Sequence, residues 1–314
     1  MIKYIPGIRC FKGKKLNTNE NQFSISKNIF FLLKIISNNF EKLKFYPDFN
    51  NTHFIKIISK IYKINKNKIF ISNGSDESLF FLFFLFKNFK LKIPKISYPF
   101  YNVYSSFYKI FKKNIKFKNI LKLKNIFLAI PNSPTGEYFK KKNILKKIFK
   151  KKFFIIDEAY SEYYNFGYKK YINKNNNLIV INTLSKAFSA AGIRIGFIFS
   201  NKYIIEKIKL IKQCFNSYNI NIISNCIGIE SIKDRDYLFF KVQKNNYLKF
   251  LFSIFFNNKK KEYCNFIFLN KKIDFFFFFK KKKIFFRFFK KNIRITISNF
   301  KIFKIIINVY FFWS

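Results

Sequence analysis

The chain is poor in the residues that build most metal and nucleophile sites. Among 314 residues there is one histidine, His53, which excludes His-rich metal centres and argues against a Ser-His-Asp triad. The four cysteines, Cys10, Cys214, Cys226 and Cys264, lie far apart with no paired spacing. They read as reduced thiols, neither a disulfide framework nor a zinc site. Acidic residues number 15, glycines eight and prolines six, and arginine occurs only at positions 9, 194, 235, 287 and 294. Long apolar runs are absent too. The Phe-rich stretches Leu79–Phe86 and Phe275–Phe279 are bounded by lysines well short of the roughly 18 apolar residues a spanning helix needs. Met1–Lys15 lacks the apolar stretch of a signal peptide, so a cytoplasmic protein with no membrane partner is expected.

What is abundant is Phe, with 50 residues, Tyr, with 19, and Lys plus Arg, with 62, for a formal charge of +47. Such charge suggests a polyanion partner. However, Lys, Asn, Phe, Ile and Tyr all have A/T-rich codons, and they fill every part of the chain rather than one face or tail. With no RNA-binding or helix-turn-helix signature, the charge reads as compositional bias, and no nucleic-acid partner is expected. The bias makes the scarce residues informative, because Arg, Gly and Pro gather in a few short segments.

Short apolar runs end repeatedly at turn signals: Lys68–Ser72, Asn125–Ile130, Phe153–Ile156, Leu178–Asn182 and Arg194–Ser200. Helical stretches separate several of them, at Asp76–Asn88, Lys141–Lys150 and Lys202–Gln213. Buried strands alternating with helices predict an α/β domain with a largely parallel sheet, whose ligand site lies beyond the carboxyl ends of the strands. After about Phe255 the pattern shifts to shorter strands, Tyr263–Leu269 and Asn292–Ser298, and a final helix. The expected division is a large domain over 31–254. A smaller α+β domain combines 255–314 with an N-terminal arm over 1–30.

Four segments carry chemistry. The first is Thr183-Leu184-Ser185-Lys186-Ala187-Phe188, followed by Ala191-Gly192-Ile193-Arg194-Ile195-Gly196. Hydroxyls at a strand end, small residues for close packing and an arginine form a phosphate-anchoring pocket around an amine, and arginine grips phosphate bidentately as lysine cannot. The second ends the run Phe153–Ile156 in Asp157-Glu158-Ala159-Tyr160. Asp157 there is either a helix cap or an acid facing a pyridinium nitrogen. The third is the rigid turn Pro131-Asn132-Ser133-Pro134-Thr135-Gly136. The fourth, Ser72-Asn73-Gly74-Ser75-Asp76-Glu77, joins a strand to a helix N-terminus with free N–H groups, a phosphate cradle or merely a capped helix start.

In this order and spacing the segments resemble the class I/II pyridoxal-phosphate-dependent aminotransferases of fold-type I. Leu16-Asn17-Thr18-Asn19-Glu20-Asn21, Tyr46-Pro47-Asp48, Tyr98-Pro99-Phe100-Tyr101 and Asn292-Ile293-Arg294-Ile295-Thr296 point to the histidinol-phosphate branch. The likeness runs from about Tyr4 to Ser298. It implies pyridoxal 5'-phosphate carried by Lys186, which also moves the substrate proton. It places Asp157 at the ring nitrogen, with Tyr160 and Asn132 or Ser133 at the phenolic oxygen, and Tyr101 stacked on the ring. Gly74, Ser75, Asp76, Thr183, Ser185 and Arg194 are implied at the phosphate. Tyr46 would reach the phosphate of a neighbouring subunit, hence a homodimer. Arg294 would clamp the substrate carboxylate or its equivalent, with Arg287 and Tyr4 at the substrate's own phosphate and Asn19 as a further substrate contact. The implied reaction exchanges an amino group between histidinol phosphate and 2-oxoglutarate, giving imidazole-acetol phosphate and glutamate, a step of histidine biosynthesis. An aromatic or acidic amino-acid aminotransferase, the threonine-phosphate decarboxylase branch and a basic remnant without catalysis are the alternatives. Three positions depart from the family pattern. Ser133 stands where Asn usually precedes the Pro, so it either supplies a shorter hydrogen bond or weakens that contact. Gln22 stands where Pro is usual, and Ser189 where Gly or Ala is usual.

Overall fold

The computed structural model describes residues 4–7, 13–110, 112–149, 153–164, 167–270, 279, 283–289 and 292–311. Arg9, Cys10 and Phe275–Phe278, singled out above, lie outside the described residues.

After a two-residue strand β1 (Lys14–Lys15) and helix α1 (Lys27–Ser37), seven short strands form the main sheet: β2 (Ile69–Ser72), β3 (Leu91–Pro94), β4 (Lys112–Ile115), β5 (Ile126–Ala129), β6 (Phe154–Asp157), β7 (Leu178–Thr183) and β8 (Gly196–Phe199). Their spatial order is β2-β8-β7-β6-β5-β3-β4; β8 runs antiparallel to both neighbours and the other pairings are parallel. The fold is therefore α/β with a mostly parallel sheet. Runs such as Ile-Phe-Leu-Ala and Leu-Ile-Val-Ile are buried throughout, as strands covered on both faces require. Their side chains alternate between two cores. Leu128, Ile156, Val180 and Phe197 join the core that receives Phe54 and Ile58 of helix α2 (Thr52–Tyr62). Phe127, Ile155, Ile181 and Ile198 join the opposite core with Phe81 and Phe83 of helix α3 (Gly74–Leu85). Each buried Phe contributes about 1.5–3 kcal/mol relative to leaving it in water, so part of the aromatic excess is absorbed as core.

The helices at 74–85 and 202–215 start or end within two or three residues of expectation. The strand expected from Arg194 begins two residues later, because Arg194 is in the left-handed region (φ 54°) and turns out of line before Gly196.

A second, three-stranded antiparallel sheet holds Phe266–Leu269 in hydrogen-bonded register with Asn292–Thr296, which pairs in turn with Arg287–Phe289. Beside it Lys14–Lys15 pairs in parallel with Ile284–Phe285. Leu16, Ile267, Ile293 and Phe303 share a third core there, so the amino-terminal arm packs with the carboxyl-terminal part. The 21-residue helix Arg235–Phe255 spans both regions: Leu238 and Val242 enter the first core, Leu248 and Phe252 the third. Among the described residues no helix is long and apolar enough to cross a membrane, and no cluster of His, Cys, Asp or Glu is placed to hold a metal.

Candidate active site

A cavity of about 340 Å³ opens at the carboxyl ends of β5, β6 and β7. The three segments that follow these strands, the first turn of α3, the arm around Asn17–Glu20 and the small sheet's arginines all reach it.

Lys186 follows β7 and is half-buried; its Nζ lies 3.4 Å from the Thr18 carbonyl and 5.8 Å from the Tyr160 ring centre. Burial, reinforced by the positive field of Arg294, pushes its pKa down to about 8, against the opposing carboxylates of Asp76 and Glu20. The neutral, nucleophilic fraction near neutral pH is thus a minority, but far larger than for an ordinary lysine. Asp157, the last residue of β6, is buried. Its Oδ1 accepts the Ala159 N–H at 3.0 Å and its Oδ2 the Tyr101 hydroxyl at 2.7 Å. Burial raises its pKa, while the Tyr101 hydroxyl and the Ala159 N–H favour the charged form. Tyr160 accepts the Asn19 amide on its hydroxyl at 2.7 Å, and burial pushes its pKa up.

At the far end, the free N–H groups of α3's first turn, Ser75 and Asp76, lie beside Ser185 and Arg194. Arg194 reaches Asp76 Oδ2 at 3.2 Å. Two glycines make this approach possible. Gly74 has φ +77°, and a Cβ on it would sit 2.5 Å from the Arg194 guanidinium; a Cβ on Gly196 would sit 2.6 Å from the Ser75 nitrogen. This is a cradle shaped by what is missing.

On the opposite wall Arg287 and Arg294 face each other directly across an antiparallel pair. Like charges so placed repel, and a bound anion relieves the repulsion. Arg294 donates to the Asn17 carbonyl at 2.9 Å and lies 3.4 Å from Ser133 Oγ, while its buried Nε has no partner among the described residues. Arg287 donates to the carbonyls of Ile5 and Pro6 at 2.7 and 2.9 Å, and Tyr4 lines the cavity against Phe100.

Three residues singled out from sequence, Tyr101, Asn132 and Thr183, sit elsewhere than expected. Tyr101 does not line the cavity: its ring is fully buried against Phe127, and its hydroxyl serves Asp157 from behind. Tyr98, three residues earlier on the same helical approach, lines the cavity instead and donates to Asp76 Oδ1 at 3.0 Å. Asn132 is turned inward, its amide donating to Thr135 Oγ1 and the Ile96 carbonyl, so Ser133 is the residue exposed to the site. Thr183 is buried under Ser185, accepting the Ser185 N–H at 3.2 Å. Tyr46 is 80% exposed and stacked on Tyr218, outside its own chain's cavity. Glu20 and Phe289 also line the cavity. Glu20 lay inside a recognised segment, whereas Phe289 had no signal within its Phe/Lys tract.

Residues 13–244 match the family described as aminotransferase class I and II. The chain belongs to the class I and II aminotransferases. This aminotransferase is 41% identical over 237 residues to histidinol-phosphate aminotransferase of Brachyspira hyodysenteriae, a match covering 71% of the chain and 66% of the relative, just under two thirds of its length. The histidinol-phosphate aminotransferase of Clostridium acetobutylicum superposes with a TM-score of 0.82 at 23% identity, covering 94% of this chain and 97% of that one. That of Sinorhizobium meliloti, solved in complex with pyridoxal-5'-phosphate, superposes with a TM-score of 0.82 at 16% identity, covering 95% and 89%. The fold is that of these enzymes. Class I and II aminotransferases use pyridoxal phosphate, the cofactor expected from the sequence, and the aminotransferase has a donor set that suits it. An amine with a depressed pKa, a buried carboxylate at a strand end and a glycine-shaped anion cradle match an aldehyde, a ring nitrogen and a phosphate.

The cradle gives a direct test. In Gly74→Ala the new Cβ both strains the left-handed backbone and displaces Arg194. Stability to urea is expected to fall by about 1–3 kcal/mol, and phosphate-bearing ligands to bind more weakly.

Proposed function

We propose that this aminotransferase transfers the amino group between histidinol phosphate and 2-oxoglutarate, yielding imidazole-acetol phosphate and glutamate. The observation that carries the reading is the pair of facing arginines, Arg287 and Arg294, across the cavity from Lys186 and separate from the cradle at Arg194. Two anion sites flanking one amine suit a substrate with its own negative charge besides a phosphate-bearing cofactor.

Pyridoxal phosphate would be held by the N–H groups of Ser75 and Asp76 with Ser185 and Arg194 at its phosphate. Asp157 would pair with the ring nitrogen, and Tyr160 and Ser133 would hydrogen-bond the phenolic oxygen. When bound, the cofactor supplies an electron sink for negative charge at the substrate α-carbon. Arg294 grips the carboxylate of glutamate or 2-oxoglutarate, or its anionic equivalent on histidinol phosphate, which has no carboxylate, and so fixes which α-substituent faces Lys186. The Lys186 amine removes the α-proton and holds it for return. Tyr101 supports this indirectly, donating to Asp157 and favouring its charged form. Arg287 and Tyr4 are assigned to the substrate phosphate, and Asn19 orients Tyr160.

We further propose a cytoplasmic homodimer in which Tyr46 completes the neighbour's site. Support comes from the exposed apolar band of Phe30, Phe31, Ile35, Phe40, Phe45 and Tyr46, each more than half accessible. The division into a large domain over 31–254 and a small one from 1–30 with 255–314 is proposed alongside. It places the long helix's last turn at the junction.

The test is spectroscopic. Purified protein with pyridoxal phosphate is expected to show an absorption band that glutamate shifts and imidazole-acetol phosphate restores. Restoration by phenylpyruvate but not by imidazole-acetol phosphate sinks the substrate assignment. No response to any amino donor sinks the enzyme.

A further inference from the structure

The loop carrying Lys186 is tethered by residues remote in the chain. Its carbonyls are engaged one after another. That of Lys186 accepts the Ser189 N–H at 3.3 Å, that of Ala187 the Asn21 amide at 3.1 Å, and that of Phe188 the Lys241 ammonium at 2.9 Å. The same Lys241 Nζ lies 3.1 Å from Ser189 Oγ.

Two features set this contact apart. Ser189 has φ 62°, the left-handed region that an L side chain enters at a cost, and a glycine or alanine is the usual residue of the resembled pattern. Lys241 is 3% exposed on the long helix, a rare place for a lysine in a chain with so many on its surface. It makes no salt bridge among the described residues; its hydrogen bonds run to this one loop, and its Nζ lies over the Tyr237 ring, 4.8 Å from the centre. Burial of an ammonium is unfavourable unless its donors are used. Here one donor goes to the Phe188 carbonyl, in the peptide that leads into Ser189, and another to the hydroxyl of the strained Ser189, three positions after Lys186.

We infer that Lys241 is a positioning residue for Lys186: its amine holds Ser189 in the left-handed conformation and so fixes the loop that presents the lysine. Lys241 touches neither cofactor nor substrate. It replaces, by an external tether, the conformational freedom a glycine at 189 supplies internally. The inference rests on Lys186 as the cofactor-bearing residue.

The test is a cycle of Lys241→Met, Ser189→Gly and the double variant, read first in protein without cofactor. Hydrogen exchange of the Ser189 and Ala190 amides is expected to speed about tenfold in K241M, because Ser189 loses its tether, and to return to within about threefold of wild type in K241M/S189G. The dissociation constant for pyridoxal phosphate is expected to follow the same order, with S189G alone unchanged. Equal loss in K241M and the double variant overturns the inference, since a plain core lysine is not rescued by a glycine 52 residues away. Unchanged exchange in K241M overturns it as well. If K241M does not fold, Ser189→Ala carries the test: it removes the hydroxyl acceptor alone, a smaller acceleration at the same two amides is expected, and no change rejects the tether. Wild-type protein that binds no pyridoxal phosphate at all, with the exchange pattern as expected, would instead reject the cofactor reading and leave the tether standing.

Discussion

Lys186→Ala is expected to reduce turnover by at least ~10³-fold while leaving the fold intact. The general base alone accounts for about 10²–10⁴-fold, and the same residue is the covalent carrier, so the two losses compound. The fold is expected to survive because the amine makes one long hydrogen bond, 3.4 Å to the Thr18 carbonyl, and its removal relieves a buried positive charge beside Arg294. Pyridoxal phosphate is expected still to enter the cradle of K186A, where Ser75, Ser185 and Arg194 are untouched. It would wash out on dialysis and show no band from attachment to lysine. A wild-type level of turnover in K186A means that another of the many lysines does the chemistry. A variant that unfolds means that the amine is structural. Circular dichroism and dialysis with absorbance separate these cases in one preparation.

Five of the seven main-sheet strands were readable as short apolar runs beside residues that resist the compositional bias, such as Gly74 after Ser72, Pro131 after Ile130, and Asp157, whereas Leu91–Pro94 and Lys112–Ile115, interrupted by lysine, gave no such signal. The bias-resisting residues lie at the strand ends where a doubly covered sheet leaves its ligand site, so finding the strands also located the cavity. What sequence did not yield was orientation within a segment. Tyr98 and Tyr101 lie about one helical turn apart, and which lines the cavity depends on the ring of Tyr101 packing on Phe127, a contact between elements 26 residues apart. Of Asn132 and Ser133, both left open by the sequence, Ser133 faces the site because the Asn132 amide is drawn inward by the Ile96 carbonyl and Thr135. Lys241 was invisible for a plainer reason, since composition gives no way to tell one buried lysine from dozens at the surface. The strands Ile284–Phe285 and Arg287–Phe289 lie in a Phe/Lys tract without alternation, so only Arg287 marked them.

Arg294→Met is expected to lower kcat/KM for both substrates by about 30- to 3,000-fold, the range set by the about 2–5 kcal/mol that losing one partner of a buried charged contact costs. Arg294→Lys is expected to recover little, because a point charge on a flexible stem cannot reproduce the fork that reaches Asn17 and Ser133 while leaving Nε for a ligand. The substitution has a second, independent signature. The Arg294 guanidinium is among the groups that depress the Lys186 pKa, after burial itself. An amine captures an aldehyde only in its neutral form, so capture of pyridoxal phosphate rises with pH through the pKa of the free lysine. Removing the positive charge favours protonated Lys186, raises that pKa above about 8 and moves the half-maximal pH of capture upward. Capture at neutral pH therefore slows in R294M and recovers in alkaline buffer, whereas substrate turnover recovers at neither. If capture and turnover shift together along the pH axis, Arg294 acts through the field at Lys186. If capture is unchanged and turnover alone falls, its role is the substrate clamp and the electrostatic coupling is refuted.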